Sequence, residues 1–424
     1  MRSTWLRFFV CFLLIAGVGV QRVPSVHAAT VSDVSVGNQF ACAVTAGNVY
    51  CWGNHTLGQL GTDEAPRNYN GAKRVVLADG SPLTGVSQLA SNGDKTCALK
   101  NGQIWCWGGI TRHDVAARKG VVGTRYIDDA VALAQVGSRG ADFTCVIRRT
   151  QNNSIWCWGY NNSGQLGRNT SSGYESVTRQ VLTYIPSTPG PIVLTKAQSL
   201  SAGYNHICAT VATANPKLGN TVYCWGDNRE GQIGNGRSGA GQTVTTATQL
   251  KTAAGVAIDA VASVSAGPYH SCAVLKNTRV MCWGSGLNYE LGQGAQTSSS
   301  RALFVKTDAS TVLTGVTAVD VGEKFTCALK NTDIWCWGTN TYGQFGDDLV
   351  MPAQYAVRTV TTILDVVDID TSKFNVCAVN GSSAAARKVY CSGKNGSGQL
   401  GNRTWIDSRI HVAVKFRDSD ATFP

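Results

Sequence analysis

This sequence predicts an all-β protein, a seven-bladed β-propeller of four-stranded antiparallel blades closed by the C-terminal strand joining the N-terminal blade. Three observations lead there. The phrase CWGNHTLGQLG at residues 51–61 returns as CWGYNNSGQLG (157–167), CWGDNREGQIG (224–234) and CWGTNTYGQFG (336–346). A second phrase stands upstream of each such step: QFACAV, DKTCAL, DFTCVI, NHICAT, YHSCAV, KFTCAL and FNVCAV, seven in all. Cysteines fall two to a copy, in a register that folds one onto the other. A period near 50 residues points to a ring or stack of supersecondary units, each needing neighbours to bury its faces.

Taken from the start, residues 1–29 stand apart. They hold Arg2 and Arg7, the apolar run FFVCFLLIAGVGV and a small-residue exit at VHAA, the layout of a secretory signal peptide. The run of 13 residues falls short of the roughly 20 a spanning helix needs. The expected division is therefore a signal peptide, 1–29, and one propeller domain, 30–424, with no transmembrane anchor after cleavage.

The formal charge is +11, and the leader's three arginines, with no acid, leave +8 for the rest. That excess is spread as doublets, Lys73-Arg74, Arg118-Lys119, Arg148-Arg149 and Arg387-Lys388. No basic run of the kind that tracks a phosphate backbone occurs, so no nucleic-acid partner is expected.

Each repeat opens on an apolar, β-rich phrase such as VSDVSVG, AQSLSAG or VASVSAG, the first strand of a unit. Gly37, Gly140, Gly203, Gly267 and Gly322 lie five residues before a cysteine, where a turn with positive φ is expected. A hairpin follows. In DKTCALKNGQIWCWG, Asn101-Gly102 is a two-residue turn signal, and folding there sets Lys100 against Gln103, Leu99 against Ile104, Ala98 against Trp105 and Cys97 against Cys106. The cysteines then occupy a non-hydrogen-bonded pair with Cα atoms about 4.5 Å apart, within disulfide range.

The same folding pairs Cys42 with Cys51, Cys145 with Cys157, Cys208 with Cys224, Cys272 with Cys282, Cys327 with Cys336 and Cys377 with Cys391. Each staple closes a loop of about 10 to 17 residues, worth up to roughly 3 kcal/mol by the chain-entropy argument. Close CxxC spacing and histidines in step are both missing, so no metal site is expected. After the hairpin comes the Gly-Gln-Leu-Gly loop and an edge strand, as in AKRVVLA or SRALFVKT. RIHVAVKF near the C-terminus resembles such an edge strand and is expected to complete the first blade.

The Cys-Trp-Gly-x-Asn-x-x-Gly-Gln-Leu-Gly phrase, following Gly-x-x-x-x-Cys-Ala, resembles the regulator of chromosome condensation repeat over essentially all of the chain after the leader. The resemblance implies a seven-bladed propeller with Trp52, Trp107, Trp158, Trp225, Trp283 and Trp337 packed between blades, and Ser392 at the seventh place. The best-known member is a nuclear exchange factor for a small GTPase that also binds chromatin. Other members of the fold look like export-route binding proteins, including a secreted bacterial propeller that inhibits β-lactamases.

The leader and the paired cysteines fit the second group better. The expected function is that of a monomeric secreted or cell-surface protein gripping another protein or an envelope polymer, since a propeller is a platform whose function lies in its loops. The candidate surfaces are GGITRHDVAARKGVVGTRY (108–126), SGLNYELGQGAQ (285–296) and ATANPKLGN (212–220), where copies depart from the repeat. Alternatives are a guanine-nucleotide-exchange-like regulator, or a carbohydrate-binding or hydrolytic secreted propeller, with Trp405, Tyr69 or Tyr289 as stacking platforms. Asn54, Asn161, Asn169 and Asn402 begin glycosylation sequons.

No catalytic residue is expected. HExxH, GxSxG and phosphate-loop motifs are missing from the sequence, and no cofactor is implied. His206 and His270 stand where other copies have Phe40, Lys95, Phe143, Phe325 and Asn375, and read as packing residues. His55, His113 and His411 read as isolated in loops or strands.

Overall fold

The computed structural model describes residues 31–416 apart from 110–115, 123–124, 137–141, 186, 215–218, 253–255, 360–362, 382 and 384–385. The leader, His113, Gly140 and part of the 108–126 segment thus lie outside the described residues. Regular structure is almost entirely strand; among the described residues one short 3-10 turn, Arg149–Gln151, is the exception.

Among the described residues the strands form seven four-stranded antiparallel units, each contiguous in sequence; the fourth and fifth are joined by an Asn220–Val261 pair and, with the short strands Leu182–Thr183 and Ile192–Val193, make one ten-stranded sheet. Unit 1 runs Val31–Val36, Phe40–Thr45, Asn48–Gly53 and Tyr69–Arg74. Units 2 to 6 open on Val86–Asn92, Ala130–Val136, Ala197–Ala202, Val261–Ala266 and Val316–Val321. Unit 7 runs Val366–Thr371, Asn375–Asn380, Lys388–Gly393 and Ser408–Ala413.

The hairpin register is the one the turn signal dictates: Lys100 faces Gln103, Ala98 faces Trp105 and Cys97 faces Cys106. Both turn residues take positive φ, Asn101 at 50° and Gly102 at 77°. Seven cysteine pairs lie at disulfide distance, from Cys97–Cys106 at 2.04 Å to Cys327–Cys336 at 2.11 Å between sulfurs. Their Cα separations, 4.0 to 4.2 Å, belong to the close, non-hydrogen-bonded kind of cross-strand pair.

Two expectations are corrected. Residues 408–413 do not join the first blade; they pair with Lys388–Gly393 as the edge strand of their own unit, and unit 1 has its own edge strand at Tyr69–Arg74. The loop after Gly393 returns the chain alongside the strand it has just left. Only the residues beyond reach unit 1, through a parallel bridge of Phe416 to Ala72 and a bond from the Ala72 amide to the Lys415 carbonyl at 2.9 Å. The second correction concerns Gly37, Gly203, Gly267 and Gly322, none of which has positive φ. They are needed for space: a Cβ would overlap the Phe40 ring at Gly37, the Gly267 carbonyl at Gly203, Val321 at Gly267 and the Phe325 ring at Gly322.

Each unit buries both faces against neighbours, so the core is divided among the seams. Units 1 and 2 enclose Phe40, Leu60, Leu89 and Trp107. Units 7 and 1 enclose Val34, Trp52, Val389 and Leu400 in the same manner. Near the axis, side chains of one first strand accept backbone amides of the next: Ser35 Oγ from Ser91 (2.8 Å), Ser201 Oγ from Ala266 (2.9 Å), Asp320 Oδ2 from Thr371 (2.6 Å) and Asp370 Oδ1 from Val36 (2.9 Å). The last of these runs from unit 7 back to unit 1.

Candidate functional site: the loop-bearing end

Antiparallel alternation puts the turns between first and second strands, and the loops between third and fourth, at one end of every unit. The second-to-third hairpins lie at the other. The long loops at the first end are held by a repeated set of bonds. Leu166, Ile233, Phe345 and Leu400 amides donate to Asn161, Asn228, Asn340 and Asn395 Oδ1 at 2.9 to 3.1 Å. The Gln side chain accepts the amide two residues before it, as in Gln165 from Ser163 at 2.8 Å. Its carbonyl takes the indole of the next unit: Trp52 to Gln399, Trp107 to Gln59, Trp225 to Gln165 and Trp283 to Gln232, all 2.8 to 3.0 Å. These loops are therefore clamps between units.

The six predicted tryptophans do not behave alike. Trp52, Trp107, Trp225, Trp283 and Trp337 are wholly buried, while Trp158 is half-buried. The loop that would clamp Trp158 belongs to unit 2, whose sequence has neither Gly-Gln-Leu-Gly nor the variants of it that units 4, 5 and 6 carry. At the seventh place the Ser392 hydroxyl donates to the Gln344 carbonyl at 2.8 Å. The missing volume is filled by His411, whose ring lies against Gly346 where other seams set an indole against the corresponding glycine. In register, the His411 position holds Ala72, Ala116, Ala247, Ala302 and Ala356 in the five units whose tryptophan is wholly buried, and Thr178 in unit 3, where Trp158 is half-buried. Large-beside-small has become small-beside-large. That exchange was readable in the fourth strand once its register was known, and His411 is not isolated.

His55 is likewise structural. It stands for the loop asparagine, its Nδ1 accepting the Leu60 amide at 3.1 Å. His206 and His270 are buried, with Nε2 at 2.8 Å from Ser271 Oγ and 2.7 Å from Thr326 Oγ1. Burial pushes His206 down to about 4 and His270 to about 3, so both are neutral imidazoles. Burial also holds His411 at about 4.

The candidate surfaces are divided. Segments 108–126 and 285–296 follow third strands at the loop-bearing end, whereas 212–220 lies between the second and third strands of unit 4, His206–Ala212 and Asn220–Asp227, at the opposite end, with 215–218 outside the described residues. Within 285–296, Glu290 takes the place of the loop glutamine: its carboxylate accepts from Ser285 Oγ (2.6 Å) and the Asn288 amide (2.5 Å), and its carbonyl from the Trp337 indole (2.8 Å). That stretch is a clamp in altered dress. Of the stacking platforms, Tyr69 is only 4% exposed and bonds the Ala65 carbonyl, Tyr289 is half-buried, and Trp405 is 49% exposed. Asn161 is buried with its amide bonded to the Thr170 carbonyl, which closes that sequon to a glycan. The Lys73-Arg74 and Arg148-Arg149 doublets are locally countered, Lys73 by Glu64 and Arg148 by Asp129 at 2.7 Å.

A group of acids is buried beside the axis. Asp320 and Asp370 line an axial cavity of about 200 Å³ to which the first strand of every unit contributes. Asp33 accepts the Leu89 amide at 2.5 Å. Burial lifts Asp33 to about 7 and Asp368 to about 6, and drives Asp370 well above the usual carboxylate range, each reinforced by the neighbouring acids. Among the described residues no group of three or more His, Cys, Asp or Glu is arranged to hold a metal ion. No helix of the described residues is long and apolar enough to cross a membrane.

Comparison with known proteins follows from this geometry. The family model described as "Regulator of chromosome condensation (RCC1) repeat" matches residues 152–210 and 220–274, and a second model of that repeat matches 31–59, 134–165, 261–290 and 316–344. The chain is 24% identical over 287 residues to the ultraviolet-B receptor UVR8 of Arabidopsis thaliana, covering 64% of this chain and 57% of that protein. It is 27% identical over 287 residues to protein pim1 of Schizosaccharomyces pombe, covering 62% and 48%. A match to the human E3 ubiquitin-protein ligase HERC2, 26% over 224 residues, takes in 51% of this chain and 4% of the ligase. The chain thus spans only part of the curated relatives it matches.

Among solved structures, Prp20p of Saccharomyces cerevisiae, described with its binding to Gsp1p and histones, superposes with a TM-score of 0.60 at 18% identity over 80% of each chain. Human WBSCR16 superposes at 0.67 and 16% identity, over 87% of this chain and 94% of that one. These likenesses show the fold.

Proposed function

The chain belongs to the regulator of chromosome condensation repeat family, and from that membership we propose a secreted or cell-surface recognition protein: a closed ring of seven blades, stapled by seven disulfides, that binds another protein or an envelope polymer through its loop-bearing end. The observation that carries this reading is a division of labour. The loop asparagine, glutamine and indole positions are committed to clamping blades, while the residues around them change from copy to copy and face outward.

Ring closure is supported by the Asp370 bond to the Val36 amide and the Trp52 bond to the Gln399 carbonyl, which repeat between units 7 and 1 what other neighbours do. Export is supported by the leader and by cysteines paired at every blade, a pattern suited to an oxidising compartment. Two of the relatives are a receptor and a protein that binds Gsp1p and histones, and the ubiquitin ligase is matched over only 4% of its length.

The test is affinity capture with oxidised residues 30–424 against the secretome and envelope of the source organism, with reduced protein as control. A stoichiometric partner lost on reduction is expected. Retention of nothing by a protein with an intact β circular-dichroism spectrum would overturn the reading.

A further inference from the structure

One cleft at the loop-bearing end, between units 6 and 7, is built unlike its counterparts. It has a volume of about 360 Å³ and is lined by the first-to-second turns of both units and the long loop of unit 6. Tyr342 and Phe374 meet edge-to-face across it, ring centroids 5.0 Å apart. Lys394 Nζ sits 5.1 Å from the Tyr342 centroid and 4.9 Å from that of Phe374, and Lys373 Nζ sits 5.1 Å from the Phe374 centroid. Lys324 is exposed on the rim. Glu323 is the one carboxylate in the group, and it pairs with Lys373 at 3.1 Å.

None of these side chains is demanded by the repeat. Where unit 7 has Lys394, units 1, 3, 4, 5 and 6 have Asn54, Tyr160, Asp227, Ser285 and Thr339; where it has Phe374, units 1 to 6 have Gln39, Asp94, Asp142, Asn205, Tyr269 and Lys324. Two other cations on this end are paired with acids, Lys95 with Asp142 and Arg229 with Asp227, both at 2.7 Å. Three ammonium groups against one carboxylate leave this cleft positive. Aromatic faces hold two of them in place at little cost in hydration.

We propose that this cleft receives a carboxylate side chain of an acidic polypeptide segment, deepening the loop-end reading and resting on it. A polypeptide fits better than an extended polyanion for two reasons. The lysines gather at a single seam, around a cleft sized for one side chain rather than spread as a track. The same two units also expose Met351 (69%), Trp405 (49%) and Ile406 (75%) in their long loops, apolar surface that a protein partner buries and a charged polysaccharide does not.

The experiment measures binding of a fluorescein-labelled octapeptide of alternating Glu and Leu to the oxidised mature protein by anisotropy, beside Gln-Leu and Lys-Leu counterparts and polygalacturonate. Saturable binding at least tenfold tighter than to the Gln-Leu peptide is expected. It should fall tenfold or more in Lys324→Glu/Lys394→Glu and survive in the distant control Lys251→Glu/Lys388→Glu. The milder Lys324→Gln/Lys394→Gln pair repeats the test should charge reversal disturb folding. Equal binding of Glu and Gln peptides, equal loss in the control, or preference for polygalacturonate overturns the proposal. If the charge-reversed protein still captures its native partner while the peptide result fails, the cleft assignment falls and the loop-end reading stands.

Discussion

Buried ionisable residues give this protein two opposed pH dependences. His206, His270 and His411 are held neutral at folded values of about 4, 3 and 4, below the usual 6.5 of the unfolded chain. Between those limits the unfolded state binds more protons, so their contribution is present above pH 6.5 and is lost as pH falls toward 4. Asp33 and Asp368 run the other way. Their folded values of about 7 and 6 exceed 3.8, so the folded state binds more protons, and stability is lost as pH rises from about 4 to 7. Urea melts from pH 4 to 8 should show His206→Phe flattening the acid limb by about 1–3 kcal/mol, since Phe already fills that place at Phe40 and Phe325. Asp33→Asn keeps an acceptor for the Leu89 amide and should flatten the neutral limb, raising stability at pH 8. An unchanged profile in either variant would refute the burial argument for that residue.

At the scale of the strand and hairpin, size complementarity between third and fourth strands decides how a seam is filled. Ser392→Trp alone drives an indole into His411 and should destabilise; His411→Ala alone opens a cavity and should cost about 2–4 kcal/mol. Together they restore the Trp-beside-Ala pair of five other seams, so a double-mutant cycle should show favourable coupling of at least about 2 kcal/mol. Additive losses would mean that His411 does not stand in for the seventh indole. The hairpins were legible from sequence because a two-residue turn fixes register, and register fixes which residues face across. The first-turn glycines were misread for the converse reason. A turn glycine suggests positive φ locally, but at Gly37 and Gly322 the constraint comes from a phenyl ring three residues on, folded back over the turn.

For the whole molecule, the central matter is the junction of last unit to first. A closed ring has no privileged cut, so a circular permutant beginning in the loop before unit 4 and joining residue 416 to residue 31 by a flexible linker should fold, with a midpoint within a few degrees of the parent. An open array would gain nothing from the linker and would lose the seam between units 3 and 4; a large fall in the midpoint is then the outcome. The C-terminal strand was expected to swap into the first blade because it resembles an edge strand and lies at the chain's end. It remains in unit 7, and side-chain bonds, the Trp52 seam and the Phe416 bridge connect the ends instead.

The sequence by itself determined the number of repeats, the strand count of each and the cysteine partners. All of these are local: a turn, a two-residue alternation and a staple act within about 60 residues. Only the tertiary structure decided which residues meet across a seam. The Asp370 bond to Val36, the acids gathered at the axis, the His411 replacement and the lysines around Tyr342 and Phe374 each join residues that different repeats bring together. Such pairings depend on where neighbouring units place their side chains, and no periodicity within one copy specifies that.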